Sequence, residues 1–282
     1  MREFLRSRVL KRKRKSNHQS DRSSAIHHIP IEFPLLNNAA SIDKMHAVHD
    51  ANVPFKYIVL DPLITKQKMR CIQHEAKMNM RATLKETDLF KIYQTGDLAS
   101  LYAKTMQKTY PHLLDLRNAL YSEEFRSFVE KLIGCRKLTD RVDCAANAYA
   151  QGCHLLCHDD VIGTRCVSYI IYLTDPDEPW EEKDGGALEL YDIEEASVVV
   201  RNGDRKNVQG VPKTVPSATV LPKFNTMAMF AVQPGRSYHA VQEVFTDRSP
   251  RLSIQGWFHA ETPPEGIIVF GPTRSEDCWH RL

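Results

Sequence analysis

With 282 residues and 42% hydrophobic content, the chain is long enough to bury one large core or two small ones without covalent help. Its longest apolar stretches, such as Met227 to Val232 and Val167 to Leu173, fall far short of the ~20 residues a membrane helix needs, which implies a soluble protein with no membrane partner. The net charge of +3 is uneven: residues 1 to 15 hold eight Lys/Arg against Glu3, a net +7, so the remainder carries −4, and basicity confined to a tail does not mark the domain as a nucleic-acid binder.

Residues 1 to 50 contain Lys11-Arg12-Lys13-Arg14-Lys15 followed by Ser-, His- and Asn-rich sequence with no sustained period, which reads as a disordered basic arm. Five consecutive basic residues fit a nuclear localisation signal or a contact with RNA or the ribosome, and equally a solvated tail. A mitochondrial presequence fits less well, because the unbroken basic block spoils an amphipathic face. The domain proper is expected over residues 51 to 262. Phe55 to Leu60 is strand-like, and Asp61-Pro62 is expected to open a helix reaching about Lys77. Residues 79 to 87 and 95 to 99 read as loop or edge strand. Beyond Pro111, apolar residues at 113, 116, 120, 125, 128, 129, 132 and 133 keep helical spacing, with Ser122 placed to cap a second segment and Gly134 to end it.

From Asp143 onward the pattern changes to short β-rich runs at 145–149, 155–160, 167–173, 187–191, 197–200, 227–232, 238–244 and 252–258. Strands this short and this evenly spaced imply a sandwich or barrel, so the fold class is mainly β with flanking helices. Gly185-Gly186 allows a tight turn with positive φ, Arg201 to Ser217 reads as an exposed insertion, and residues 263 to 282 as an irregular tail. Seven cysteines (71, 135, 144, 153, 157, 166 and 278), odd in number, irregularly spaced and not preceded by a signal peptide, imply free thiols in a reducing compartment.

The chemistry gathers at Leu155 to Asp160, Leu-Leu-Cys-His-Asp-Asp. Residues two apart on a strand share a face, so His158 and Asp160 are expected to project together. They make two corners of a 2-His-1-carboxylate triad, a ligand set diagnostic of non-haem Fe(II) oxygenases. A His-x-Asp alone is common, and Cys153, His154, Cys157 and His158 invite rival readings. Cys-x-x-x-Cys-His has one residue too many for haem attachment, no Cys-x-x-Cys follows to complete a zinc site, and Cys157, on the opposite face of the strand, reads as core. The second imidazole is His239, 79 residues beyond Asp160, and twelve residues later Arg251 opens Arg-Leu-Ser-Ile-Gln-Gly-Trp-Phe-His. A planar guanidinium can hold the far carboxylate of 2-oxoglutarate through two hydrogen bonds, and Tyr172 could donate its hydroxyl to the same group. Singly, each has a bland reading as a satisfied histidine or a strand-edge charge. In this order, on successive expected strands, they make one site.

These segments, with Asn79-Met80-Arg81, Asp88-Leu89-Phe90-Lys91, Tyr169 to Leu173, Pro179-Trp180, Gly185 to Tyr191 and His239 to His259, resemble the Fe(II)- and 2-oxoglutarate-dependent prolyl hydroxylases over roughly residues 55 to 262. They are most similar to the branch that 3-hydroxylates a proline of a small-subunit ribosomal protein. The resemblance implies a double-stranded β-helix (jelly-roll, cupin-like) oxygenase fold, iron ligation by His158, Asp160 and His239, and 2-oxoglutarate binding by Arg251 with help from Tyr172. It implies Fe(II), 2-oxoglutarate and O2, with ascorbate as an accessory, and succinate and CO2 as co-products. It further implies a ribosomal-protein proline as substrate and a nuclear or cytoplasmic location. His259 either approaches the site or ends its strand, and the second reading fits better. Members of the branch usually carry a second, degenerate β-helix domain, and none follows here before Leu282. Two alternatives stand beside this reading: a degenerate β-helix module that binds a ribosomal or RNA partner, in which triad and arginine would be idle, and an oxygenase acting on another protein residue. Asp160 argues against halogenation, which replaces the carboxylate by a small residue.

Overall fold

The computed structural model describes Ile31, Phe33 and residues 39–100, 107–194, 199–202, 205–208 and 210–264; the basic block at 11–15 and nearly all of the tail lie outside the described residues. Among them are helices α1 (Ala39–Ala51), α2 (Lys66–Asn79), α3 (Pro111–Leu120) and α4 (Glu123–Ile133). Helix α4 shows how local sequence sets its ends. The Ser122 hydroxyl accepts from the Phe125 amide at 3.1 Å, Glu123 and Glu124 sit at the positive end of the dipole, and Gly134 closes the helix at φ +67°. Its buried residues are Phe125, Phe128, Val129, Leu132 and Ile133.

Two helical expectations need correction. Ala39–Ala51 falls inside the stretch read as a disordered arm, yet it is helical, with His49 buried and the His46 Nδ1 donating to the Leu132 carbonyl at the end of α4. Its weak amphipathicity hid it, since a tertiary contact rather than an apolar stripe anchors it. The second helix starts at Lys66, not Asp61. The amides of Leu63 and Ile64 donate to the backbone and side-chain oxygens of Asn225, and Asn225 Nδ2 returns a hydrogen bond to Ile64, so these residues serve the sheet before Thr65 can start a helix.

The strands are β1 (Tyr57–Leu60), β2 (Thr83–Glu86), β3 (Phe90–Gln94), β4 (Leu138–Tyr149), β5 (His154–His158), β6 (Arg165–Tyr172), β7 (Leu188–Leu190), β8 (Ile193–Glu194), β9 (Val199–Asn202), β10 (Arg205–Val208), β11 (Val211–Pro212), β12 (Ala218–Val220), β13 (Met227–Ala231), β14 (His239–Val241) and β15 (Arg251–Ala260). One eleven-stranded sheet runs β1-β13-β6-β15-β4-β3-β5-β14-β7-β12, with β2 on β3, and its pairings are antiparallel. The sheet curls on itself: His239 on β14 packs edge-on against Phe230 on β13, strands far apart in this order. This is the double-stranded β-helix.

Strand β3 was not anticipated, and β4 begins seven residues before the expected Ala145. The expected insertion is not bare loop: its residues pair in two small sheets, β10 with β9 and β11 with β8, and residues 197–198 of the expected strand 197–200 lie outside the described residues.

Alternation divides the central strands into two faces. Leu138, Val142, Cys144 and Ala146 of β4, Val167, Tyr169 and Ile171 of β6, and Ile254, Phe258 and Ala260 of β15 join the helices in the main apolar core. The opposite face lines the interior of the curl.

Candidate active site

On that inner face the register sets side chains in rows. Arg251 stands beside Tyr149; Ser253 lies between Asn147 and Tyr172; Gln255 between Ala145 and Ile170; Trp257 between Asp143 and Ser168. Above this floor opens a cavity of about 410 Å³, lined by His158, Asp160, Ser168, His239, Tyr149 and Trp257 among others.

His158, Asp160 and His239 offer ligand atoms that all lie within 4.8 Å of one another. Asp160 Oδ1 is 3.2 Å from His158 Nε2, and Oδ2 is 3.2 Å from His239 Nε2. Each imidazole is oriented from behind: His158 Nδ1 donates to the Leu156 carbonyl and His239 Nδ1 to the Ser237 carbonyl, both at 2.8 Å. That fixes the tautomer and aims both Nε2 lone pairs at one point, as metal ligands require. The Ser168 hydroxyl donates to Asp160 Oδ2 at 2.6 Å. Burial alone would raise the Asp160 pKa, but His239 and His158 hold it well below the usual carboxylate value. Burial likewise works to lower His158, and Asp160 overrides it and raises the imidazole.

The route to this geometry differs from the expected one. Strand β5 ends at His158, and Asp160 has φ +62°, so a left-handed turn rather than strand alternation returns its carboxylate to the imidazole. Aspartate tolerates that region because its short side chain can bond locally. Asp159, unremarked in the sequence, holds the turn: its Oδ2 accepts from Gly235 N at 3.0 Å and its backbone oxygen from Ser237 Oγ, tying the loop before His239 to the loop after His158.

Arg251 begins β15 and is fully buried, and none of its three guanidinium nitrogens has a hydrogen-bond partner among the described residues. It stacks on the rings of Tyr149 and Tyr172, at 4.9 and 5.0 Å. Gly186, at φ +68°, makes room, since a Cβ there would meet Arg251 Cδ at 3.0 Å; Gly185, at φ +71°, completes the expected turn. The hydroxyls of Tyr149, Tyr172 and Ser253 and both polar atoms of Asn147 are also buried without partners among the described residues. Burial pushes both tyrosines up, so each remains a hydroxyl donor. An unpaired buried cation amid unpaired donors is costly in isolation and is complemented by an anionic acceptor such as a carboxylate. The residues present therefore suit both a 2-His-1-carboxylate metal and a dicarboxylate. Tyr149, Asn147, Ser253 and Ser168 escaped the sequence reading, although counting in twos from Arg251 and Tyr172 would have found Ser253 and Ser168.

Other sequence candidates fall elsewhere. His259 bonds Thr164 Oγ1 through Nδ1 at 3.0 Å and has Nε2 3.1 Å from Asp143 Oδ2, inside β15 and apart from the triad. Cys157 is half-buried rather than core, and burial pushes its thiol up to about 11. No cysteine joins a group that could hold a metal ion among the described residues, and the six described cysteines are free. No described helix is long and apolar enough to cross a membrane.

Residues 144–259, which contain every one of these site residues, match the family model of the 2OG-Fe(II) oxygenase superfamily. Over 210 residues the chain is 46% identical to prolyl 3,4-dihydroxylase OGFOD1 of Ostreococcus tauri, covering 74% of this chain and 38% of that protein. Over 232 residues it is 31% identical to prolyl 3-hydroxylase OGFOD1 of Xenopus laevis, covering 81% and 40%. The chain thus spans about 40% of the length of these curated relatives. In fold it is similar to an oxidoreductase of the 2OG-Fe(II) oxygenase family from Burkholderia pseudomallei, with a TM-score of 0.52 at 14% identity over 80% of this chain and 95% of that one.

Proposed function

The chain carries a domain of the 2OG-Fe(II) oxygenase superfamily, and we propose that this domain hydroxylates a prolyl residue of a protein, at C3, in a small-subunit ribosomal protein. The observation that carries the oxygenase reading is one cavity in which two oriented imidazoles and a carboxylate converge while a buried arginine stands unpaired nearby. Prolyl specificity rests on the names of the relatives, and the ribosomal substrate on the resemblance of the sequence.

In this reading His158, Asp160 and His239 hold Fe(II), and Arg251 with Tyr172 holds the far carboxylate of 2-oxoglutarate. When bound, metal and cosubstrate supply O2 activation coupled to oxidative decarboxylation, giving succinate, CO2 and one oxygen atom for the substrate C–H bond. The protein's own share is placement. The carbonyls of Leu156 and Ser237 accept from the two Nδ1 atoms and so aim both Nε2 atoms at the metal position, Ser168 fixes one carboxylate rotamer, and Leu89, Phe90, Val161 and Ile162 give the cavity an apolar lining that suits a proline ring and excludes water. Ascorbate serves as accessory reductant, and the basic arm serves nuclear or cytoplasmic targeting or contact with RNA or the ribosome. A purely binding module is the weaker reading, because it would keep an unpaired buried Arg251 at a cost with no return.

The test is incubation of purified protein with Fe(II), 2-oxoglutarate and proline-containing peptides from small-subunit ribosomal proteins. A mass gain of one oxygen on a proline, dependent on both additions, is expected. Failure to consume 2-oxoglutarate with any prolyl peptide would sink the proposal.

A further inference from the structure

Asn147, on the inner face of the sheet one row from Arg251, is hard to explain unless it serves a ligand. It lies on β4 facing inward, is fully buried, and neither its Oδ1 nor its Nδ2 finds a partner among the described residues. Asparagine is disfavoured in strand interiors, and a buried carboxamide left unpaired is destabilising. Its register neighbours do not relieve it. Gln94 on β3 gives its carboxamide oxygen to Lys85 Nζ at 2.7 Å, and the Ser253 hydroxyl on β15 is itself unpaired. Asn147 and Ser253 stand one row from Arg251 and Tyr149, whereas the carboxylate of the triad is tied to Ser168, two rows further along the floor.

Resting on the reading of Arg251 as a carboxylate receptor, we propose that Asn147 is a cosubstrate-recognition residue whose Nδ2 donates to the far carboxylate of 2-oxoglutarate. A carboxylate has about four lone-pair sites, more than a two-pronged guanidinium contact fills. The Asn147 carboxamide supplies a neutral donor from the neighbouring strand, and its Oδ1 accepts a hydroxyl from the same group of orphans. Asn147 therefore discriminates a 2-oxo acid with a second carboxylate from one without it.

The experiment is anaerobic calorimetric titration of the Fe(II)-loaded protein with 2-oxoglutarate and, separately, with pyruvate, which has the 2-oxo acid but no second carboxylate. Asn147→Leu keeps the volume and removes both polar atoms. It should weaken 2-oxoglutarate binding by about tenfold or more, leave pyruvate binding within about twofold, and leave the Tm of the ligand-free protein equal or higher, because an unpaired buried amide has gone. Asn147→Asp, which sets a like charge against the carboxylate, should weaken 2-oxoglutarate further, and provides the measurement if the leucine variant fails to fold. Unchanged 2-oxoglutarate affinity in either variant, a parallel loss for pyruvate, or a fall in Tm with binding retained would each overturn the proposal. Arg251→Ala separates the two layers of argument: if it also leaves 2-oxoglutarate affinity intact, the carboxylate receptor itself is misplaced, and if only the Asn147 variants are silent, Asn147 alone is.

Discussion

Two clusters in this molecule have the same composition, two histidines and an aspartate, and they behave differently. His158, Asp160 and His239 turn both Nδ1 atoms to backbone carbonyls and both Nε2 atoms to one buried carboxylate. In His46, His49 and Asp50 of α1, His49 spends Nδ1 on Asp50 at 2.9 Å and buries Nε2 without a partner, while Lys56 Nζ sits 3.1 Å from the same Asp50 oxygen. A cation there would have to displace Lys56 and leave His49 Nε2 as a buried, unsatisfied donor. Ligand types at close range are thus insufficient; the hydrogen bonds behind the ligands decide whether lone pairs remain for a metal.

The most severe way to break the comparison is to remove a ligand from each cluster. Asp160→Ala or His239→Ala should abolish Fe(II)-dependent 2-oxoglutarate turnover with the circular dichroism spectrum unchanged, whereas Asp50→Ala should keep turnover and iron content. Wild-type-like turnover in Asp160→Ala would refute the triad. Next in size, Arg251→Lys keeps the charge but loses the planar fork, and a charge-assisted hydrogen bond contributes ~1.5–3 kcal/mol, so KM for 2-oxoglutarate should rise roughly tenfold to a hundredfold. An unaltered KM would place the carboxylate elsewhere.

Ser168→Ala tests the support behind a ligand. The loss of its 2.6 Å hydrogen bond should weaken Fe(II) affinity on the order of tenfold in equilibrium dialysis, with the three ligands still present. Equal affinity would show that the two histidines orient Asp160 unaided. The smallest effect concerns His49, whose pKa burial lowers. Its unfolded form takes a proton below pH ~6.5 that the folded form refuses, so its contribution to stability is present above that value and lost as pH falls. His259, also lowered by burial, acts with the same sign. His158, which Asp160 raises, acts with the opposite sign, so the readout is a difference: between pH 7 and pH 5 the urea midpoint should shift less towards instability in His49→Gln than in the wild type, and identical slopes would clear His49 of any part in it.

Much of the candidate site could be read from spacing, because each candidate residue stands at the end of a short apolar run: His158 after Leu155-Leu156, Arg251 before Leu252 and Ile254, Tyr172 at the end of Val167 to Ile171. Capping signals likewise placed the ends of α4 at Ser122 and Gly134, since local hydrogen bonding alone sets them. The reading failed where long-range contacts overrule local preference. Helix α1 is held against α4 by His46, and the start of α2 is delayed by Asn225, 161 positions from Ile64.

Strand alternation is written in the residues themselves: the two-residue period of a strand selects which residues of β4, β6 and β15 are apolar enough to face the helices, and hence which are left to face inward. Which of those inward residues meet depends on long-range pairing. The register of β15 sets Ser253 against Asn147 and Tyr172, and the left-handed turn at Asp160 brings its carboxylate back to His158. Registers are chosen by the closing of the whole curled sheet, and no local window of sequence contains that information.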